Sequence, residues 1–504
     1  MAISNILTMR ASGIALALAL VYPAAALAQN RPATPPANSN AAAPDDDAPS
    51  ANADIVVTGT SIRGEAPVGS SLIQLGRADI EATSATTATQ IIREVPQIFS
   101  FGVTDSARNQ SGGAGNIVYG NSINIRGIGP YATLTLLNGR RPVPQGTLGA
   151  SVDPGNIPAI ALERVEIIAD GASAVYGSDA VAGVANLILR RRYDGVGADV
   201  QYGWADGYSE FNANMIVGAD WGSGRFTLAG QHSYRSALAG VDRDYYRSDL
   251  TALGGKNYTT TSCNPGNIQI GATTYAIPAG GATAANLVAG TLNRCDTIKP
   301  TDILPQQETN SLSFTLDQEV TDGMRVFIDA LWARREGFRR SAVATQTLVV
   351  PTTNAFFVAP AGATLAACPA SAGVAAGTRC ENILYNFAGL FPGGVATSAI
   401  QSDVWQITGG VDFDLSDTWH LNNYYTFGKD HDHVYSVGTG VDAANLAAAL
   451  RSADPATALN PFGTAGGNSA ATIASVFDNL TDTDGRASFI DAGISMNGAL
   501  FALP

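Results

Sequence analysis

Few side chains in this sequence have the type and spacing to do chemistry. His431-Asp432-His433 is the densest metal-ligating set and could hold a transition metal at the base of a loop. A hydrated rim is the plainer account of the same three residues. Asp482-Thr483-Asp484-Gly485 has the composition of a calcium loop. However, Leu480 stands at the required first acidic position and no Glu follows at the last. Gly112-Gly113-Ala114-Gly115 could cradle a phosphate, but no Lys-Ser/Thr pair follows and no helical pattern opens there. Gly-x-Ser-x-Gly, His-Glu-x-x-His and zinc-type cysteine spacings are absent. The reading is a non-enzyme with no cofactor, no catalytic residue and no resident metal.

Composition narrows what must position such residues. The chain has 504 residues, more than one ordinary soluble domain needs, and only 14% of them are charged. Glycine is abundant at 54, and no interior apolar run reaches the length of a membrane-crossing helix. A secreted β-rich protein or a β-barrel fits these facts. A formal charge of −14 argues against nucleic acid as a partner, because phosphate binding needs clustered Lys and Arg.

Residues 1–28 read as a cleaved secretory signal: Arg10 as the positive flank, residues 13–21 as the apolar core, and Ala26-Leu27-Ala28 as the small-residue cleavage site. Residues 29–53 are rich in Ala, Pro, Asn and Asp and read as a disordered tether. Export places the four cysteines in an oxidising compartment. The expected disulfides are local, Cys263–Cys295 and Cys368–Cys380, although spacing alone does not fix connectivity.

Asp54-Ile55-Val56-Val57-Thr58-Gly59-Thr60 follows the tether, and its three β-branched residues favour an extended backbone. Such a segment on a leash suits β-augmentation of a partner's sheet edge; it would serve equally well as a domain's first strand. Residues 61–192 then form one mixed α/β unit. Residues 88–95 read as a helix ended by Pro96. Residues 123–129 and 133–141 read as a strand pair ending in a turn, with Asn138-Gly139 the favoured two-residue hairpin turn. Residues 157–162 and 170–176 read as helical turns, and residues 165–168 and 184–189 as strands.

Residues 156–192 carry a specific resemblance. Ile157-Pro158, Leu162-Glu163-Arg164-Val165-Glu166-Ile167, Gly171, Ser173-Ala174-Val175-Tyr176-Gly177-Ser178-Asp179-Ala180 and Gly183-Val184-Ala185-Asn186 resemble the end of the plug domain of TonB-dependent outer-membrane receptors. The stretches around Arg126-Gly127 and Asn138-Gly139-Arg140 resemble the same domain, in the expected order. The resemblance implies that residues 54–60 are a TonB box, gripped by the inner-membrane TonB-ExbB-ExbD complex. It also implies that residues 61–192 are a plug inside an antiparallel transmembrane β-barrel. Arg126, Arg140, Arg164, Glu163 and Glu166 are the charges expected between plug and barrel wall. Tyr176 and Gly177 complete the plug motif. The implied function is energy-coupled import of a scarce extracellular ligand such as a siderophore, cobalamin or glycan.

After Arg190-Arg191-Arg192 the sequence alternates polar and apolar residues through eight strand-like segments. Trp405, Ile407, Gly409, Val411 and Phe413 share one face; Gln406, Thr408, Gly410 and Asp412 share the other. Residues 324–332 and 311–317 repeat the pattern, whereas residues 419–426 put Asn423 on the apolar face. A membrane wall with a wet lumen demands this pattern, and a soluble sandwich produces it too. The connectors discriminate. Long ones, about residues 236–309, 336–403 and 430–487, fall on one side and tight turns on the other, save the short first outer loop at Asp206-Gly207. Bacterial barrels show this asymmetry. The expectation is a mostly β fold in which residues 193–504 form the first eight or so of about 22 barrel strands, with the sequence truncated at its C-terminal end. The expected partners are TonB, outer-membrane lipids and a small ligand at the cell surface of a Gram-negative bacterium. The alternative is a secreted β-rich binding or adhesion protein. A porin leaves the α/β unit without a role.

Overall fold

The structure, a computed structural model, describes residues 72–101, 120–146, 149, 152–416, 418–463, 467–478 and 481–498. The signal, the tether, residues 54–60 and the glycine run at 112–115 lie outside the described residues.

The α/β unit begins with β1 (Leu72–Leu75), α1 (Arg77–Ala82) and α2 (Ala88–Arg93). Thr87 caps α2: its hydroxyl accepts from Gln90 N at 3.3 Å while Gln90 Oε1 accepts from Thr87 N at 3.2 Å. The helix ends two residues before the expected position, at the approach to Pro96. It buries Ala88, Ile91 and Ile92. There follow β2 (Ile98–Phe101), β3 (Ile123–Ile125), β4 (Thr133–Leu137), β5 (Leu162–Ile168), α3 (Ser173–Tyr176) and β6 (Gly183–Leu189). The main sheet has the order β1-β5-β6-β4, with β4 parallel to β6.

This corrects the expected pairing of residues 123–129 with 133–141. β3 pairs with β2, not with β4. Arg126 and Gly127 turn the chain at φ 55° and 73°, and β4 then enters the main sheet with all five residues buried. A strand covered on both faces is a run of apolar and small residues, as Thr-Leu-Thr-Leu-Leu is. Ile91, Ile125, Leu162, Ile167 and Leu187 form the core beneath it.

The long sheet starts with β7 (Gly195–Ala205), β8 (Tyr208–Asp220) and β9 (Gly224–Arg235). The first connector contributes β10 (Leu238–Ala239), β11 (Asn267–Ile270), β12 (Thr273–Ala276) and β13 (Asp302–Leu304). Next come β14 (Gln306–Thr321) and β15 (Met324–Ala342). The second connector holds β16 (Thr345–Pro351), β17 (Ala366–Ala367) and β18 (Arg379–Asn386). β19 (Val395–Asp414) and β20 (Trp419–Val437) follow, then a third connector with α4 (Ala443–Arg451) and α5 (Ala470–Val476), and finally β21 (Thr481–Gly498). The eight long strands are antiparallel in the order β21-β20-β19-β15-β14-β9-β8-β7, each beside its sequence neighbour in the sheet.

The strands outrun the alternation that revealed them. β15 continues to Ala342 and β19 begins at Val395, so the long connectors are residues 236–305, 343–394 and 438–480. The polar face also differs from a wet lumen. Gln406 and Thr408 are 7% and 3% exposed, whereas Trp405 and Ile407 are 38% and 45% exposed.

The three connectors do not behave as separate loops. β12, β11, β18 and β16 form a second sheet, with β17 beside β18, and α4 and α5 pack with it. One core joins Ile268 and Leu287 of the first connector, Leu348, Ile383 and Phe387 of the second, and Leu446, Phe462 and Phe477 of the third.

Candidate functional site

Thr86 bonds Gln201 and Asn214 of the long sheet, and two larger polar patches join the α/β unit to it, the first organised by a turn. Asn138 and Gly139 adopt φ 51° and 79°, the doubly positive combination of a type I′ turn. Leu137 and Arg140 close it with reciprocal backbone bonds of 2.9 and 3.0 Å. Asn138 Oδ1 accepts from Leu189 N at 2.8 Å, and its Nδ2 donates to Asp329 Oδ2 of β15 at 3.1 Å. Asn186 Oδ1 accepts from Gly139 N at 2.9 Å. The turn is therefore tied to β6 and to β15 at once.

Asp329 gathers charge as well. Arg191 Nη2 donates to it at 2.7 Å and Arg140 Nη1 stands 3.5 Å away. Arg191 Nη1 also reaches Asp317 of β14 at 3.1 Å, which Arg225 approaches at 3.3 Å. Both aspartates are buried, so the arginines supply the charge that burial would otherwise leave uncompensated. The Arg140 guanidinium lies 4.3 Å from the Phe327 ring centre and 5.0 Å from that of Tyr424.

The second patch runs along residues 143–159. Gln406 Oε1 accepts from Val143 N, and Asp432 Oδ2 accepts from Gly146 N, both at 2.9 Å. Arg335 forms a buried ion pair with Asp153 and donates to Asn156 Oδ1 at 3.2 Å. Gln231 Oε1 accepts from Ala159 N at 3.1 Å. Side chains of the sheet thus satisfy the backbone of an irregular segment. Apolar contact accompanies these bonds: Ile216, Ala229 and Leu331 of the long sheet enter the core of the α/β unit, and Val143 packs with Ala333 and Val404.

The interface unites residues that sequence spacing kept apart. Of the five charges expected there, Arg140 meets the long sheet. Arg126 Nη2 donates to Ala182 O at 3.0 Å, Arg164 pairs with Glu166 at 2.7 Å, and Arg190 stands 3.6 Å from Glu163, all inside the α/β unit. Tyr176 O accepts from Arg141 Nη2 at 2.9 Å, and Gly177 adopts φ 87° after α3. Sequence reasoning did not assign Asp153, Asp317, Asp329 or Arg335 to the interface; it read Asp432 only as part of a metal-ligating set, Gln406 only as polar-face parity and Arg191 only as the boundary of the α/β unit. For the residues of the long strands the one signal was polarity on the inward parity, which gives no address for a partner.

The chemistry-bearing motifs come apart. Asp432 points inward to Gly146, while His431 and His433 point outward to Asp484 and Asp482 at 3.1 and 2.7 Å. Among the described residues no group of three or more His, Cys, Asp or Glu is placed to hold a metal ion. Asp482 to Gly485 belong to β21 and not to a loop. The cysteines form two disulfides, Cys263–Cys295 and Cys368–Cys380, with Cα separations of 5.7 and 4.8 Å.

Residues 66–184 match the family model described as TonB-dependent Receptor Plug Domain. This chain carries a TonB-dependent receptor plug. An eight-stranded antiparallel sheet packs against it, and the fold class is mostly β with an α/β plug domain. Solved structures with overlapping folds include the ferric enterobactin receptor PfeA of Pseudomonas aeruginosa (15% identity, TM-score 0.44, 84% of this chain and 45% of that one). The ferric preacinetobactin receptor BauA of Acinetobacter baumannii overlaps at 11% identity and TM-score 0.36, over 74% of this chain and 48% of that one. The ferric citrate transporter FecA does so at 11% identity and TM-score 0.34, over 73% and 48%. The chain spans about half the length of the structures it matches.

Proposed function

We propose that this chain works as an outer-membrane receptor that imports a scarce ligand (a siderophore, cobalamin, glycan or peptide) on energy delivered through TonB. The observation that carries the reading is the inverted burial of the wall. Register places Trp332, Trp405 and Lys429 in one outward row, and Ala330, Ile407 and Phe427 in the next. Ile328, Gly409 and Tyr425, then Val326, Val411 and Asn423, then Met324, Phe413 and Leu421 follow. Four steps of two residues span about 27 Å along the strands, or roughly 20 Å of height at a barrel's tilt, close to the apolar band of an outer-membrane wall. Above the Trp row come Arg334, Asp403 and His431. A soluble sandwich would bury the apolar parity and wet the polar one; here the plug takes the polar parity. No helix among the described residues is long and apolar enough to cross a membrane, which is compatible with crossing by strands.

In this reading the ligand is captured on the outer side, and residues 54–60 enter the periplasm to pair as an added strand with TonB of the TonB-ExbB-ExbD complex. Pulling then remodels a plug that is held by polar bonds together with a smaller set of apolar contacts. No bond of the ligand is transformed. Deleting residues 54–60 in the full-length gene should abolish uptake while leaving ligand binding intact, and uptake that persists would reject the coupling. Heat-modifiable mobility and recovery in the outer-membrane fraction distinguish the reading from a secreted adhesion protein.

A further inference from the structure

The shared core of the outer connectors contains one anomaly. Glu381 of β18 is 2% exposed, and neither carboxylate oxygen has a hydrogen-bond partner among the described residues. By alternation it shares the buried face of β18 with Ile383 and Tyr385, and its register partner is Val350 of β16. Val350, Ile383 and Tyr385 belong to the core that Leu446, Ala449 and Leu450 of α4 also enter. The carboxyl therefore sits where the second and third connectors join. We propose that Glu381 is a proton-operated catch. With the carboxyl protonated the three connectors pack as one body, and its ionisation loosens them together.

Among the described residues the packed elements offer no buried countercharge. β11, β16, β17 and α5 contain no ionisable residue. The one charged residue of α4, Arg451, is exposed, and Arg379 on β18 is exposed with its Nη1 donating to Leu365 O. Burial alone pushes the Glu381 carboxyl up to about 8. Tyr385, pushed by burial to about 12, keeps its proton throughout the range that matters.

The connectors are tied so that loosening one loosens all. β11 pairs with β18, joining the first to the second. Asn354 Nδ2 donates to Leu450 O and Leu459 O at 2.9 and 3.1 Å, joining the second to the third. Ala282 N donates to Phe462 O at 2.9 Å, joining the third to the first.

The sign is distinctive. A raised carboxyl contributes stability that is fully present below its unfolded value of 4.5 and lost as pH rises through about 8. Opening should therefore increase up to tenfold per pH unit between about 5 and 8 and level off above. Asp249 and Asp296, the connector carboxylates held low, give the opposite slope. No histidine lies in residues 236–305, 343–394 or 438–480. The catch does not depend on transport; only its exposure to the external medium rests on the membrane reading.

The test is amide hydrogen exchange of the full chain in detergent, corrected for intrinsic rates, at pH 5, 6.5, 8 and 9. Protection in β11, β18 and α4 should fall in step up to pH 8 and then level. Glu381→Gln and Glu381→Leu should each flatten the profile. A flat wild-type profile overturns the proposal, as does a slope that survives in either variant. A response confined to β18 overturns the single-body claim.

Discussion

Arg191 and Asp329 join the end of the plug to the middle of the wall: the guanidinium that follows β6 donates to the β15 carboxylate at 2.7 Å, in a site where Asp329 is buried. The same carboxylate receives Asn138 of the type I′ turn, so one wall residue fixes both the turn and the exit of the plug. Removing it leaves Arg140 and Arg191 with less compensation. Asp329→Ala should weaken plug docking by about 3 kcal/mol. Guanidinium-induced release of the plug, followed by protease access at residues 138–146, measures it; a midpoint within error of wild type would reject the role.

Asn138 performs two tasks that substitution separates. Asn138→Gly keeps the positive φ and loses both side-chain bonds, costing about 1–2 kcal/mol. Asn138→Ala loses the bonds and also forces a left-handed alanine, adding about 1 kcal/mol. Thermal denaturation of the two variants should rank wild type above glycine above alanine. The order alanine above glycine would show that the turn conformation is unimportant.

The two disulfides should contribute unequally. Cys263–Cys295 closes a separation of 32 residues and Cys368–Cys380 one of 12. Chain entropy gives about 4 and about 3 kcal/mol respectively. Paired serine variants compared by urea unfolding of the connectors should show the larger loss for the first, and a larger loss for the second would contradict the entropic account.

Asp296 gives the first connector an acid limit. Burial raises its carboxyl, but bonds from Ser248 N, Lys299 N, Ser248 Oγ and Ile298 N outweigh burial and hold it below its usual 3.8. A lowered carboxyl contributes stability above its unfolded value and loses it as pH falls through the folded one. Proteolysis near residues 243–258 should therefore accelerate below about pH 4. Asp296→Asn should cleave faster at pH 6 and lose most of the acid dependence; a variant as acid-sensitive as wild type would place the limit elsewhere.

The wall's two faces predict opposite tolerances. Ile407→Arg puts a charge in the second outward row and should cost about 2–4 kcal/mol of assembly in a bilayer. The expected result is a marked loss of heat-modifiable protein in the outer-membrane fraction. Undiminished recovery would argue that this face meets water.

Sequence by itself determined the local elements whose cause is local. Period-two alternation marked the wall strands because each side must meet a different medium, and Asn138-Gly139 marked a turn because few other pairs accept two positive φ values. The asymmetry of connector lengths sorted the long connectors to one end of the sheet, since strand parity assigns each connector a side. Tertiary structure decided everything that depends on distant partners. β4 looked like half of a hairpin but lies parallel to β6, because a strand buried on both faces takes its neighbours from the whole sheet. The inward polar row looked wet but is buried, bonding partly to plug backbone, partly to plug side chains and partly to its own strand neighbours, and no spacing could connect Gln406 with Val143 or Arg335 with Asp153. Three connectors read as loops share one core, because their apolar residues are too few in each to form a core alone and sufficient when pooled.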